Sequence, residues 1–223
     1  MKITPTKNIL NSVLELVSYY IFPIIYIWHY NLSSLKLNIT FTIMLGMIAF
    51  YKNFFKPYRP NTYFNIFYSV LFIVICAFSI KSLNVFVMIL LYSQLLLLFI
   101  SKTISRNLKI LDTIIESFIV PSFCSIAISF VNIHFISFTF IIPVLLVNIA
   151  AIIIDFYDGE NIFDYLQLIF MSAILIILYY MKYIELTTSI AIIVFIVIMA
   201  LIKNHFKTSN LVNRIIGNLL LII

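Results

Sequence analysis

The chain has 223 residues, of which 64% are hydrophobic and only 10% are charged. A water-soluble domain carries about 25% charged residues, so this composition excludes a soluble globular fold. Residues within the apolar runs do not alternate with polar residues, which excludes an outer-membrane barrel. The net charge of +6 comes from Lys and Arg residues that are spread between those runs, and this pattern does not indicate nucleic-acid binding. The sequence therefore predicts an all-α, polytopic helical membrane protein.

Nine apolar runs follow one another along the chain, most of them long enough to cross the hydrocarbon of a bilayer. The runs are 9–30, 37–51, 64–80, 84–101, 111–131, 135–154, 165–181, 185–202 and 211–223. The second and the last are short, and we expect them to lie shallowly or to rely on their neighbours. No linker, repeat or change of composition divides the chain. The sequence therefore predicts one transmembrane domain over residues 1–223, a bundle of about nine helices.

The positive charges between these runs predict the orientation in the membrane. Eleven of the 14 Lys and Arg residues fall on the side that contains the N-terminus, whereas Lys36, Lys81 and Lys182 fall on the other side. Because positively charged connections stay in the cytoplasm, we predict a cytoplasmic N-terminus. This arrangement is typical of a multi-pass protein of the bacterial inner (plasma) membrane.

The acidic residues are concentrated in two short segments. The loop after the sixth run holds Asp155, Asp158, Glu160 and Asp164 and contains no Lys or Arg. If the helix continues, Asp155 and Asp158 share one face, where their carboxylates could hold a divalent cation, and Asn148 lies two turns earlier on that face. The alternative is a solvated turn in which Asp and Gly have ordinary turn roles.

A compact basic connection follows the second run. Lys52, Asn53, Lys56 and Arg59 lie within eight residues, and Arg offers two parallel donors to phosphate oxygens. These residues are candidates for binding a phosphate group. A connection that only sets the membrane orientation has the same composition, so this alternative stays open.

A second acidic segment stands at the start of the fifth run. Asp112 and Glu116 are one helical turn apart and lie close to Lys109. One interpretation of this pair is a functional role. The alternative is a local network of charges at helical spacing.

The order of these segments resembles the UbiA superfamily of intramembrane prenyltransferases, which have nine helices, an internal N-terminus and Asp-rich motifs after helices two and six. Residues 56–60, Lys-Pro-Tyr-Arg-Pro, are similar to the basic tail that follows the first motif in many members. The segment from Tyr92-Ser93 to Lys109-Ile-Leu-Asp112 looks like the pattern that leads into the fifth helix of the phosphoribosyl-type branch. The chain departs from the family because no acidic residue lies between Glu15 and Asp112, so the first motif lacks its carboxylates. The second acidic loop is also spaced unlike the usual motif, and the chain is short for the family.

The resemblance implies a Mg²⁺-dependent transferase that moves a prenyl group from a prenyl diphosphate, or a related lipid phosphate, to an acceptor that the sequence does not identify. Asp155 and Asp158 would be the catalytic residues and would hold the Mg²⁺ ion. The membrane lipid itself would be a further partner. The residues that would bind the substrate are Lys52, Asn53, Lys56, Arg59, Lys109, Asp112 and Asn148.

Two other classes of protein remain as alternatives. The first is a non-catalytic membrane protein, such as a small permease, an immunity-type factor or a subunit of a complex. The count of only 3 glycines favours it mildly, because close helix packing is expected to be harder without glycine. The second is a proton- or cation-coupled transporter, which is disfavoured because no carboxylate is expected in the middle of a span.

Overall fold

A computed structural model describes residues 5–30, 38–58, 60–104, 109–156, 162–205 and 210–220, and these residues form helices and short connections. The structure does not describe some side chains at helix ends, including those of Lys109 and Asp155. Within the described ranges the chain forms nine helices, in agreement with the predicted all-α class. The crossing of a membrane by all nine, as one bundle with a cytoplasmic N-terminus, stays a prediction.

The nine helices are named in chain order. They are α1 (Pro5–His29), α2 (Ile39–Phe50, continued by a π turn at Tyr51–Phe55 and a 3-10 turn at Lys56–Tyr58), α3 (Thr62–Ser79), α4 (Val85–Ile104), α5 (Lys109–Ile114, a π turn at Ile115–Ile119, then Val120–Ile133), α6 (Phe138–Phe156), α7 (Ile162–Tyr180), α8 (Leu186–His205) and α9 (Asn210–Leu220). The predicted runs correspond to these helices within a few residues at most ends. The main difference is α2, which extends seven residues beyond the predicted end at residue 51.

Three of the described helices are long and apolar enough to cross a membrane, namely Thr6–His29, Thr62–Ser79 and Ile110–Ile133. Much of their apolar surface is not covered by the rest of the chain. In α3, for example, Phe67 and Phe78 are 65% and 80% exposed. A continuous apolar surface of this kind is stable against lipid and not against water, which supports a membrane protein.

The chain divides into two compact units, Met1–Phe135 and Ile136–Ile223. The first unit contains α1 to α5, and the second contains α6 to α9. Each unit has its own hydrophobic core. The core of the first unit includes Met44, Leu45, Leu91 and Leu95, and that of the second includes Ala150, Leu175, Phe195 and Met199. The prediction of a single domain stays a prediction.

Local side-chain chemistry sets several of the helix ends. The side-chain oxygen of Asn38 accepts hydrogen bonds from the main-chain N–H groups of Thr40 and Phe41 and so caps α2. Asn61 caps α3 in the same way through the N–H of Phe64. Asparagine at these positions satisfies N–H groups that have no partner inside the helix. Asn38 and Asn61 therefore fix where α2 and α3 begin.

Close packing in the first unit uses small polar side chains instead of glycine. On α5, Ser122, Ser125 and Ser129 are all at most 5% exposed. The Ser125 Oγ donates to the main-chain carbonyl of Tyr19 in α1 at 3.0 Å. Because serine is short and can bond to a neighbouring backbone, it allows helices to approach closely inside a membrane. In this unit serine therefore takes the place of glycine where α1 and α5 approach each other.

Candidate functional site

The basic segment after residue 51 is helical and is not a loop. Helix α2 continues through the π turn Tyr51–Phe55 and the 3-10 turn Lys56–Tyr58. The predicted basic loop is therefore wrong for residues 52–58, because helical hydrogen bonding persists through them. Arg59 lies outside the described residues. Because residues 52–58 continue α2, Lys52 and Lys56 occupy fixed positions on a helix instead of a solvated connection.

Both π turns of the described chain precede a proline at the same spacing. Pro57 stands two residues after the turn Tyr51–Phe55, and Pro121 stands two residues after the turn Ile115–Ile119. A proline has no N–H, and its ring clashes with the carbonyl four residues earlier, so a regular α-turn cannot continue through it. A wider turn relieves this clash, which explains why α2 and α5 each contain one extra residue at these positions.

The π turn in α5 leaves the main-chain carbonyl of Glu116 without a donor from its own helix. In α-helical geometry its donor would be the N–H of Val120, but that N–H donates to the carbonyl of Ile115. In π-helical geometry the donor would be the next residue, which is the proline without an N–H. The ammonium of Lys52, on α2, fills this position with an Nζ–O distance of 2.7 Å. One lysine therefore ties α2 to the interrupted turn of α5.

Glu15 of α1 forms the innermost part of the site. Its Oε1 contacts the Nζ of Lys52 at 2.7 Å, and the two side chains are 1% and 9% exposed. Glu15 is the tenth residue of the candidate span Thr6–His29, which places it about 14 Å along the helix axis from the start of that span. A buried charge is tolerated when it is paired, as here. Glu15 therefore lies within a candidate span, and its depth in the membrane stays a prediction.

Lys56 joins two further carboxylates, both from α5. Its Nζ lies 2.5 Å from the Oδ1 of Asp112 and also contacts the Oε1 of Glu116. The Lys56 side chain is 9% exposed, whereas those of Asp112 and Glu116 are 19% and 27% exposed. The predicted alternative was a local network with Lys109, whose side chain lies outside the description. The structure shows that the two carboxylates bind a lysine of a different helix.

We refer to Glu15, Lys52, Lys56, Asp112 and Glu116 as the charge cluster. It joins α1, α2 and α5 within the first unit and contains three carboxylates and two ammonium groups. Its net charge is therefore −1. Exposure increases from Glu15 through the lysines to Glu116, so the accessible end of the cluster carries carboxylates.

Only part of the predicted site is brought together. Lys52, Lys56 and Asp112 meet in the charge cluster, whereas the side-chain amide of Asn53 donates to the main-chain carbonyl of Ala49, one turn earlier on α2, at 3.1 Å. Asn148 belongs to α6 of the second unit, is buried, and donates to the carbonyl of Val144 at 2.9 Å. The predicted residues that lie outside the described side chains are Arg59, Lys109, Asp155 and Asp158.

Glu15 was missed as a site residue, and Glu116, noted beside Asp112, was left out of the predicted substrate-binding residues. Pro121, five residues after Glu116, interrupts a helix and is a signal for Glu116, whereas neither Pro57 nor Pro121 lies near Glu15 in the sequence. A further difference concerns Arg214, which the orientation count assigned to a cytoplasmic connection. It is buried within α9 and 2% exposed.

An apolar groove of about 530 Å³ lies between α1 and α2. The hydroxyls of Tyr20 and Thr42 bond to each other at 2.8 Å, so they present no unbonded polar group to the groove. The lining residues are Leu16, Val17, Tyr20, Ile21, Ile24, Ile39, Thr42 and Ile43. A groove of this composition fits a hydrocarbon chain.

Among the described residues, no group of three His, Cys, Asp or Glu side chains could hold a metal ion. Comparison with known proteins finds no match, whether among family models, curated proteins or solved structures. The resemblance to UbiA-type prenyltransferases therefore stays a hypothesis that rests on the layout and on two short segments. Any function has to be inferred from the residues and their contacts.

Proposed function

We propose that the protein is an integral membrane enzyme similar to the UbiA-type prenyltransferases, which binds a prenyl diphosphate or related lipid phosphate and moves the prenyl group to an acceptor. The contact between Lys56 and Asp112 supports this proposal. Lys56 begins one of the two segments that carry the resemblance, and Asp112 ends the other. The two residues are 56 positions apart in the sequence. Two short similarities that meet at one place favour a common site more than either does alone.

In the proposed enzyme, the two lysines have different roles. Lys52 is bonded to Glu15 and to the main chain of α5, so it holds the helices together. Lys56 lies nearer the accessible end and would contact phosphate oxygens together with Arg59. Asp155 and Asp158 would hold a Mg²⁺ ion, which stabilises the charge of the leaving diphosphate when it is bound. The apolar helices would surround the isoprenoid chain.

The enzyme would be a nine-span protein of the bacterial inner membrane, with its N-terminus in the cytoplasm. The three long apolar helices support a location in a membrane. The positive-inside rule supports the orientation.

Calorimetric titration of the purified full chain with farnesyl diphosphate, with and without MgCl₂, tests this function. We expect binding that strengthens with Mg²⁺, and we expect Asp155→Asn and Asp158→Asn each to abolish the Mg²⁺-dependent part. Glu185→Gln, at an exposed position before α8, is the matched control and should bind as the parent does. If the parent binds no diphosphate under either condition, the transferase proposal fails.

A non-catalytic membrane protein is the second candidate, and one observation favours it. Lys52 and Lys56 are both paired with carboxylates of the chain itself, so the charge cluster has no surplus positive charge for a phosphate. In that case the cluster would serve to hold α1, α2 and α5 together. Substitutions in it would then change the thermal stability of the protein, and the titration above would show no binding.

A further inference from the structure

The polar residues of α9 lie on the face of that helix that is buried in the second unit. Asn213, Arg214 and Asn218 are 0%, 2% and 6% exposed, whereas Val212 and Leu219 are 37% and 46% exposed. Successive residues of an α-helix are about 100° apart, so the three polar residues fall within one sector of about 140° and the two exposed ones lie opposite. A helix on the surface of a soluble protein has the reverse arrangement. Helix α9 therefore brings polar groups into the interior of an apolar unit.

The surroundings of this polar face are apolar and closely packed. Gly217 lies between Asn213 and Arg214 around the helix axis. A Cβ atom at Gly217 would lie 3.0 Å from the side chains of Val147 in α6 and Phe195 in α8. Packing this close favours a ligand of one or a few atoms over an organic molecule.

The side chain of Asn213 points to a ligand at this face. Its amide nitrogen and its amide oxygen are both buried, and neither makes a hydrogen bond to a described residue. A buried polar atom without a partner is costly, so such atoms in folded proteins usually bind a water molecule or an ion. The amide of Asn213 supplies two N–H donors for this purpose.

The neighbouring Arg214 sets the charge of that ligand. Within Asn210–Leu220 it is the one charged residue. A guanidinium keeps its proton in proteins, so Arg214 cannot become neutral to relieve the cost of its burial. A buried charge is stable when an opposite charge lies close to it, and charged residues inside membrane proteins commonly mark sites for ions and substrates. A positive charge repels cations, and N–H donors bind anions.

We propose that Asn213 and Arg214 form a binding site for a small monovalent anion, such as chloride, in the interior of the second unit. A single negative charge balances the single positive charge of Arg214, and the amide of Asn213 donates to the same ion. This site goes beyond the proposed transferase, because no step of that reaction uses a residue of α9. The binding of chloride and the binding of farnesyl diphosphate therefore succeed or fail separately.

Thermal unfolding of the purified full chain in detergent tests the site, with sodium chloride replacing sodium gluconate at constant ionic strength. We expect the midpoint to rise with chloride and to level off about 5 °C or more higher, because an ion that binds only the folded protein stabilises it. Arg214→Gln should abolish this rise. Asn213→Ala keeps the positive charge and removes the amide, so it should need about tenfold more chloride for the same rise.

Lys81→Gln removes an exposed positive charge elsewhere and is the control, which should respond to chloride as the parent does. Crystals of the parent soaked in bromide provide a measurement that does not depend on the folding of a variant, and we expect an anomalous peak beside Asn213 and Arg214. An equal effect of chloride and gluconate on the parent would overturn the proposal, as would a full chloride response in both Asn213→Ala and Arg214→Gln. If Asp155→Asn responds to chloride and the parent does not, a carboxylate of the chain balances Arg214 and the anion site is wrong.

Discussion

At the scale of single residues, Glu15 of α1 and Lys52 of α2 form an ion pair. Both side chains are buried, and Lys52 also bonds to the main-chain carbonyl of Glu116. Removing one partner of a buried ion pair leaves an uncompensated charge, whereas replacing both by neutral groups costs much less. The free energy of unfolding should therefore depend on whether Glu15 and Lys52 are changed singly or together.

Lys52→Met should lower the free energy of unfolding by about 3–5 kcal/mol, because Glu15 then stays charged and buried. The double variant Glu15→Gln, Lys52→Met should recover most of this loss. Denaturant unfolding in detergent micelles, followed by circular dichroism, measures both. Lys81→Met, in an exposed connection, is the control. Equal destabilisation of the single and double variants would contradict the role of the ion pair.

The two glycines within the described helices test packing at the scale of a residue. A Cβ at Gly217 of α9 would lie 3.0 Å from the side chains of Phe195 and Val147, whereas a Cβ at Gly46 of α2 would meet nothing within 4 Å. Gly217→Ala should therefore destabilise the protein by about 1–3 kcal/mol, as overpacking usually does. Gly46→Ala should be neutral or stabilise it by up to about 1 kcal/mol. Thermal unfolding distinguishes them, and an equal effect of both would exclude tight packing at Gly217.

At the scale of an element, the interrupted helices α2 and α5 decide which side chains meet. A π turn adds one residue to a helix, which rotates everything before it by about 100° relative to everything after it. We expect this rotation to direct Asp112, which precedes the turn in α5, toward Lys56. The nine helices themselves were predictable from apolar length. The π turns were not predicted, although Pro57 and Pro121 were visible in the sequence.

Pro121→Ala should allow α5 to continue as a regular α-helix, because the residue then has an N–H and no ring. The carboxylate of Asp112 would rotate away from Lys56, and the free energy of unfolding should fall by about 1–3 kcal/mol because this ion pair is lost. Denaturant unfolding in detergent micelles measures the fall, and circular dichroism should show unchanged or higher helix content. Pro143→Ala is the control, since α6 contains this proline without a π turn. An unchanged free energy of unfolding in Pro121→Ala would show that the turn does not orient Asp112 toward Lys56.

At the scale of the whole molecule, the orientation of the basic and acidic segments is the main prediction. The charge distribution predicts that residues 52–60 and 155–164 both face the cytoplasm. Single cysteines placed at Asn61 and Asn161, in a chain without Cys76 and Cys124, should both react with an impermeant reagent only from the cytoplasmic side. Labelling from opposite sides would contradict the nine-span arrangement and the resemblance that depends on it.

The sequence by itself determined the all-α class and the number of helices in the part of the chain that the structure describes. A long apolar run in a bilayer satisfies its backbone groups within its own helix, so no distant residue is needed to predict it. Asn38 and Asn61 likewise fix helix starts through neighbouring N–H groups. The charge cluster could not be predicted in this way, because Lys52 contacts residues 37 and 64 positions away on two other helices. Such contacts depend on how α1, α2 and α5 pack and on the rotation that each π turn introduces, and only the tertiary structure decides these.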